Sequence, residues 1–189
     1  MNKGYVLPIR LAGIMQAWGS SSTLYKCPTD LRPSISHLRG FLACAFGYAD
    51  KNMLSLDGIT FKLKDLSTYK DIIEETNNIH GTSLYSGFDY IEYEKPWTAN
   101  DVAYKEANNP RRVKYYLTDA DFLVYLCCED KDRLVTIKKA LLNPVWPCYL
   151  GRKNCLPMLD PIEDNTFDGN ILSIEEIKGD LDLCDTLQY

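Results

Sequence analysis

The sequence predicts an α+β fold in which helices lie on one face of an antiparallel sheet, and three observations carry that expectation. The first is size and composition: 189 residues, 46% hydrophobic and 25% charged, suit one folded domain rather than a disordered chain or a fibre. The second is periodicity, because strand-like runs are interleaved with two segments whose apolar residues recur every three or four positions. The third is order. Strand, helix, strand, irregular insertion, strand and helix follow one another, which is the β-α-β-β-α-β succession of ferredoxin-like domains.

Tyr5 to Ala12 reads as the first strand, an apolar run broken by Arg10 and closed by Gly13. Gly13 to Gly19 leads into Ser20-Ser21-Ser22-Thr23, too polar for a sheet core, and reads as a loop. A helix begins near Ser34 or Ser36, since serine beside an apolar-periodic run is a good N-cap. Leu38, Phe41, Leu42, Ala45 and Phe46 form its inner face, and Gly47 stops it near Tyr48. After an Asp57-Gly58 turn, Ile59, Phe61 and Leu63 alternate with Thr60, Lys62 and Lys64, as in a half-buried strand. Residues 66–110 have neither period, apart from a short helical turn expected at Asp71 to Thr76. Their Tyr85, Phe88, Tyr90, Tyr93, Trp97 and Tyr104 suit a partly buried insertion. Val113 to Leu117 and Ala120 to Cys128 are strand material, split at Thr118-Asp119. Asp130 to Leu142 reads as a second helix, with Leu134, Ile137, Lys138 and Leu141 on one side and Asn143-Pro144 at its end. A body over 1–159 is thus followed by an acidic tail over 160–189, in which Ile171 to Ile177 adds one strand or helix.

No apolar stretch approaches the roughly 20 residues of a membrane helix, and the first residues lack a secretion signal, so a cytoplasmic protein without membrane contact is expected. The seven cysteines contain no C-x-x-C pair and read as buried or idle thiols. Only His37 and His80 are available for histidine chemistry, so no catalytic residue, metal or cofactor is expected. Net charge is −5, yet nine acidic residues and one lysine fall within 160–189, leaving 20 basic against 17 acidic residues before them. Phosphate binding follows local patches, so RNA stays open as a partner of this mildly basic body.

Three segments converge on one resemblance: Arg10 to Gly19, Ser36 to Gly47, and Lys114 to Phe122 followed at a helix's distance by Pro144 to Cys155. Together, and most of all in the Tyr-Leu-Gly-Arg-Lys run at 149–153, the chain resembles over residues 4–159 the CasD-type subunits of type I-E CRISPR Cascade complexes, members of the RAMP superfamily. The resemblance implies an RRM-like RAMP fold that holds the 5′ handle of the CRISPR RNA. It also implies a thumb hairpin, falling in the insertion at about 66–110, that reaches toward the guide and the adjacent backbone subunit. Implied partners are the CRISPR RNA and the backbone and large Cascade subunits, with target DNA met only through the complex. The chain departs from the family at Ile14, where proline is usual, and at His37 and Arg39, where small or apolar residues are usual. It also has an acidic stretch in place of a longer C-terminal region, and a variant or mobile-element-borne complex is compatible with these changes.

Single-stranded RNA is bound by stacking and by cations on phosphates. Tyr149, Arg152 and Lys153 around Gly151 offer both, although alone they would read as a solvated loop. Gln16 can meet a base edge and Trp18 can stack, with Gly19 beside them, yet a tryptophan after a strand serves as often as a core plug. Arg111, Arg112 and Lys114 enter the third strand beside the insertion and rank below the Gly151 loop, because such clusters usually only solubilise a strand end. Ser36 is most simply a helix cap, and a helix N-terminus also favours phosphate. The expected function is a noncatalytic RNA-binding subunit in antiviral defence. The alternative is a repeat-processing endoribonuclease of the type I-C kind, which would have to rely on Tyr48, Lys114 and Tyr115, because no Lys-His dipeptide occurs. A RAMP-like regulator that binds only protein is weaker, since the body is basic.

Overall fold

The computed structural model describes residues 4–19, 26–78, 111–162, 167 and 169–188, and gives the backbone alone for residues 76–78, 111 and 112. In chain order the elements are β1 (Tyr5–Gln16), β2 (Trp18–Gly19), β3 (Lys26–Cys27), β4 (Thr29–Asp30), α1 (Ile35–Phe46), a 3-10 turn (Lys51–Met53), β5 (Thr60–Asp65), β6 (Asp71–Asn78), β7 (Arg111–Cys128), α2 (Lys131–Leu142), β8 (Leu172–Ser173), α3 (Lys178–Asp182) and β9 (Asp185–Thr186).

β7 is the spine. β1 runs antiparallel along one edge of it from Tyr5 opposite Cys128 to Gln16 opposite Leu117, and β3 continues that edge in parallel at Val113 and Lys114. The other edge is shared by β5, opposite 122–127, and β6, opposite 111–118. β8 closes the far side of β1 and β9 the far side of β5, so the main path reads β8-β1-β7-β5-β9.

The two helices behave as their patterns require. Gly47 ends α1 at φ 73, a left-handed conformation that costs glycine little, and the α1 residues Leu38, Phe41, Leu42 and Ala45 are buried. Asp130 caps α2 by accepting from the Asp132 and Arg133 N–H groups at 2.9 and 3.3 Å, and Leu134, Ile137 and Leu141 are buried. Both apolar faces meet Leu7, Ile9 and Leu11 of β1, Phe61 and Leu63 of β5, and Phe122, Val124 and Leu126 of β7 in the main core.

Three expectations need correction. β1 does not close at Gly13; pairing with β7 carries it to Gln16, because a backbone beside a long partner keeps its hydrogen bonds by following it. β7 is not split at Thr118-Asp119. Asp119 takes a left-handed φ of 52, which a short acidic side chain tolerates, and the register resumes unchanged at Met15 opposite Thr118, so one strand runs through. Asp71 to Thr76 is strand, not helical turn: β6 covers the stretch of β7 that β5 leaves, and Ile72-Ile73 suits a pleat. Of the insertion at about 66–110 in which the thumb is expected, residues 79–110, with the aromatics from Tyr85 to Tyr104, lie outside the described residues.

The sheet's second face carries Val6, Leu123 and Tyr125, covered by Ile177 and Leu181 from the acidic C-terminal stretch. Lys62 donates to the Leu181 carbonyl at 2.8 Å and Lys64 pairs with Asp180 at 3.0 Å, so lysines that alternate outward on β5 receive that segment. No helix among the described residues is long and apolar enough to cross a membrane. No disulfide joins the cysteines among the described residues, and burial pushes Cys127 up to about 11 and Cys148 up to about 12, with Cys44 adding to the second shift.

Two outcomes follow. Tyr125 is 0% exposed and its hydroxyl finds no partner among the described residues, so Tyr125→Phe should raise stability by about 1 kcal/mol in urea unfolding; a comparable loss would show that the hydroxyl is satisfied. An unfolded thiol ionises near pH ~8.5 whereas folded Cys148 keeps its proton to about 12, so stability should fall as pH rises through that window. Cys148→Ala should flatten the decline in urea midpoint between pH ~8 and ~10 relative to wild type; an identical decline would contradict it.

Candidate functional site

The end of β1 is where separate parts of the chain meet. Gln16 is fully buried: its amide nitrogen donates to the Leu11 and Ala120 carbonyls at 3.0 and 2.6 Å, and its oxygen accepts from the Trp18 indole N–H at 3.0 Å. The bond to Ala120 holds the strand end to β7 beside Asp119. Trp18 is 1% exposed and its backbone N–H donates to Thr29 Oγ1 at 2.8 Å. The base-edge role expected of Gln16 and the stacking role of Trp18 therefore have no open surface here; both side chains build the floor of the site. Gly19, by contrast, is exposed, with no atom of the described residues within 4 Å of where a side chain would begin.

His37 latches this strand end to α1. Its Nδ1 accepts from the Ser34 N–H at 3.1 Å, and its Nε2 meets the Gly19 carbonyl at 2.8 Å. A carbonyl can only accept, so Nε2 is the donor in this contact. The helix cap is Ser34, and not Ser36, which sits in the first turn and accepts from Lys51 Nζ at 2.6 Å. A histidine three residues after a capping serine is the signal that could have revealed the latch.

The Gly151 loop abuts the same strand end. The Ala17 N–H donates to the Leu150 carbonyl at 2.9 Å, and the Leu150 N–H to the Cys155 carbonyl at 2.7 Å, closing the loop on itself. Gly151 has φ 100, and a Cβ there would lie 1.8 Å from the Ala17 carbonyl oxygen. Only glycine fits. Arg152 turns back into the fold, donating to the Tyr115 and Cys27 carbonyls at 3.1 and 2.7 Å with its guanidinium 5.0 Å from the Tyr116 ring centre. Asn154 donates to the Tyr116 hydroxyl at 3.1 Å, which donates to Glu75 at 2.8 Å. Burial raises the pKa of Tyr116 and Glu75 adds to it, while Asn154 and Arg152 oppose, so the phenol stays protonated. Desolvation and then Glu74 likewise raise Tyr115.

Lys153 is exposed and Tyr149 half-buried on this loop, and Lys114 is half-buried on β7 between Cys27 on one edge and Glu75 on the other. Arg111 and Arg112 pair through their backbones with Asn78 and Asn77. Sequence reasoning missed Lys26, exposed on β3 and opposite Val113. A two-residue strand has no period to read, so only its pairing reveals it. The site thus gathers Gly19, Lys26, Lys114, Tyr149 and Lys153 around one strand end, a set suited to anions and planar rings and fixed by backbone hydrogen bonds.

Comparison with known proteins decides the family. The family model described as CRISPR-associated protein (Cas_Cas5) matches residues 6–185. The chain belongs to the Cas5 family. Among curated proteins, this Cas5 chain is 26% identical over 182 residues to the CRISPR system Cascade subunit CasD of Escherichia coli (strain K12), covering 93% of this chain and 79% of that one. Among solved structures it is similar to a chain of a CRISPR RNA-guided surveillance complex, with a TM-score of 0.61 and 25% identity. That match covers 83% of this Cas5 chain and 62% of the other, so the chain spans less than two thirds of that relative's length.

Gly151→Ala should destabilise the protein by about 3 kcal/mol, since it adds backbone strain and a clash with Ala17. A thermal midpoint within a degree or two of wild type would mean that the loop does not rest on β1.

Proposed function

We propose that this chain is a noncatalytic subunit of a type I Cascade complex that holds the 5′ handle of the CRISPR RNA and contacts the adjacent backbone subunit. The observation that carries the reading is convergence: the three segments behind the family resemblance meet near the end of β1 through the bonds of His37, Leu150 and Arg152, and two of them carry Lys114, Tyr149 and Lys153. The strand order supports the ferredoxin-like form of the fold, because the neighbouring strands β8, β1, β7 and β5 are, among themselves, fourth, first, third and second in the chain. Gly19, Lys26, Lys114, Tyr149 and Lys153 are the proposed RNA contacts, with Arg111 and Arg112 beside them on β7; Gln16 and Trp18 support from below. Membership of a Cascade relative's family makes the other Cascade subunits the proposed protein partners. Noncatalytic binding is the better reading at this site because cleavage needs a base for the 2′-hydroxyl and an acid for the leaving oxygen. His37 uses both ring nitrogens within the fold, and Tyr115 holds its proton more tightly than a free phenol.

The chain tagged in its host should retain short RNAs that share one repeat-derived 5′ end. Purified, it should leave a full repeat hairpin intact with or without divalent metal. Cleavage at the handle boundary that vanishes in Tyr48→Phe or Lys114→Ala would make the endoribonuclease reading correct.

A further inference from the structure

Arg152 carries the charge expected of a phosphate ligand but not the posture. Both terminal nitrogens of its guanidinium donate to backbone carbonyls, one on β7 at Tyr115 and one on β3 at Cys27, and the plane lies near the Tyr116 ring. Those two carbonyls bracket Lys114, which sits beside Tyr115 in sequence and opposite Cys27 in register. On the other side of Arg152 comes Lys153, exposed, and then Asn154, tied through the Tyr116 hydroxyl to Glu75 on β6. Lys153 is therefore held between two anchored neighbours, while the same anchors fix the strand that bears Lys114.

We infer that Arg152 is a positioning residue: it sets the spacing between Lys114 and Lys153 and does not itself neutralise a phosphate. The planar fork is what the role requires. A guanidinium spans two diverging carbonyls and packs on a ring at once, whereas a lysine ammonium is a point charge that cannot hold both. The inference rests on the RNA-handle reading and adds a division of labour among the loop's cations.

Counterion release separates the roles. Each phosphate neutralised on a single strand contributes about 0.7 to the slope of log affinity against log salt, so a ligand's loss lowers the slope while a positioner's loss lowers affinity alone. The experiment measures binding of a repeat-derived handle RNA across a salt series by full-length wild type, Arg152→Lys, Arg152→Gln and Lys153→Gln, each first shown to be folded by its thermal midpoint. Expected are a slope reduced by ~0.7 in Lys153→Gln, and affinity weakened roughly tenfold at unchanged slope in both Arg152 variants. Affinity kept by Arg152→Lys but lost with a lower slope in Arg152→Gln would make Arg152 a phosphate ligand and overturn the inference. Affinity unchanged in both, with only the thermal midpoint lowered, would reduce Arg152 to a brace and overturn it too. Failure of folded wild type to bind the RNA would overturn the RNA reading itself, and this assignment with it.

Discussion

The close approach of Gly151 to the Ala17 carbonyl is the constraint on which the site depends. β1 leaves β7 at Gln16, and its last residues would expose unpaired backbone on their outer side. The loop from Leu150 to Cys155 fills that place, and the Met158 N–H continues the seal with a 2.9 Å bond to the Ala12 carbonyl. A side chain at position 151 would push the loop off. Without the contact, Arg152 would no longer reach β3 and β7, and the lysines on loop and strand would lose their fixed relation.

The two faces of the sheet divide the work. Helices α1 and α2 cover one face through the main core, and the acidic C-terminal stretch covers the other, over Tyr125 and the outward lysines of β5. RRM domains stack bases on their open sheet face. Here Phe167 sits edge-on to Tyr125, with ring centres 6.2 Å apart, so that face is occupied from within the chain. The C-terminal stretch also reaches the segment after β4, where Asp185 pairs with Arg32 at 2.6 Å, and a net charge of −5 says little about the local surface.

Much of this was legible in the sequence where local rules decide the outcome. Both helices follow from apolar spacing, Gly47 and Asp130, because caps and faces are set within a dozen residues. The overreach of β1 past Gly13 and the continuity of β7 through Asp119 were not, since each depends on a partner more than a hundred residues away. Gly151 and Lys153 were found as members of a loop, but the inward turn of Arg152 was hidden: its acceptors are carbonyls of Cys27 and Tyr115, which no residue type announces. The burial of Gln16 was hidden for the same reason. A polar side chain after an apolar run looks like a ligand, and its true partners, the Leu11 and Ala120 carbonyls, are backbone.

The central claim is that RNA lies across the end of β1 and not on the sheet face. Photocrosslinking a repeat-derived handle RNA to the intact protein, followed by mass-spectrometric mapping, tests it most directly. Crosslinks in the peptides bearing Lys114, Tyr149 and Lys153 are the result the account predicts. Crosslinks confined to the peptides bearing Lys62, Lys64 and Tyr125, beneath the C-terminal stretch, would contradict it.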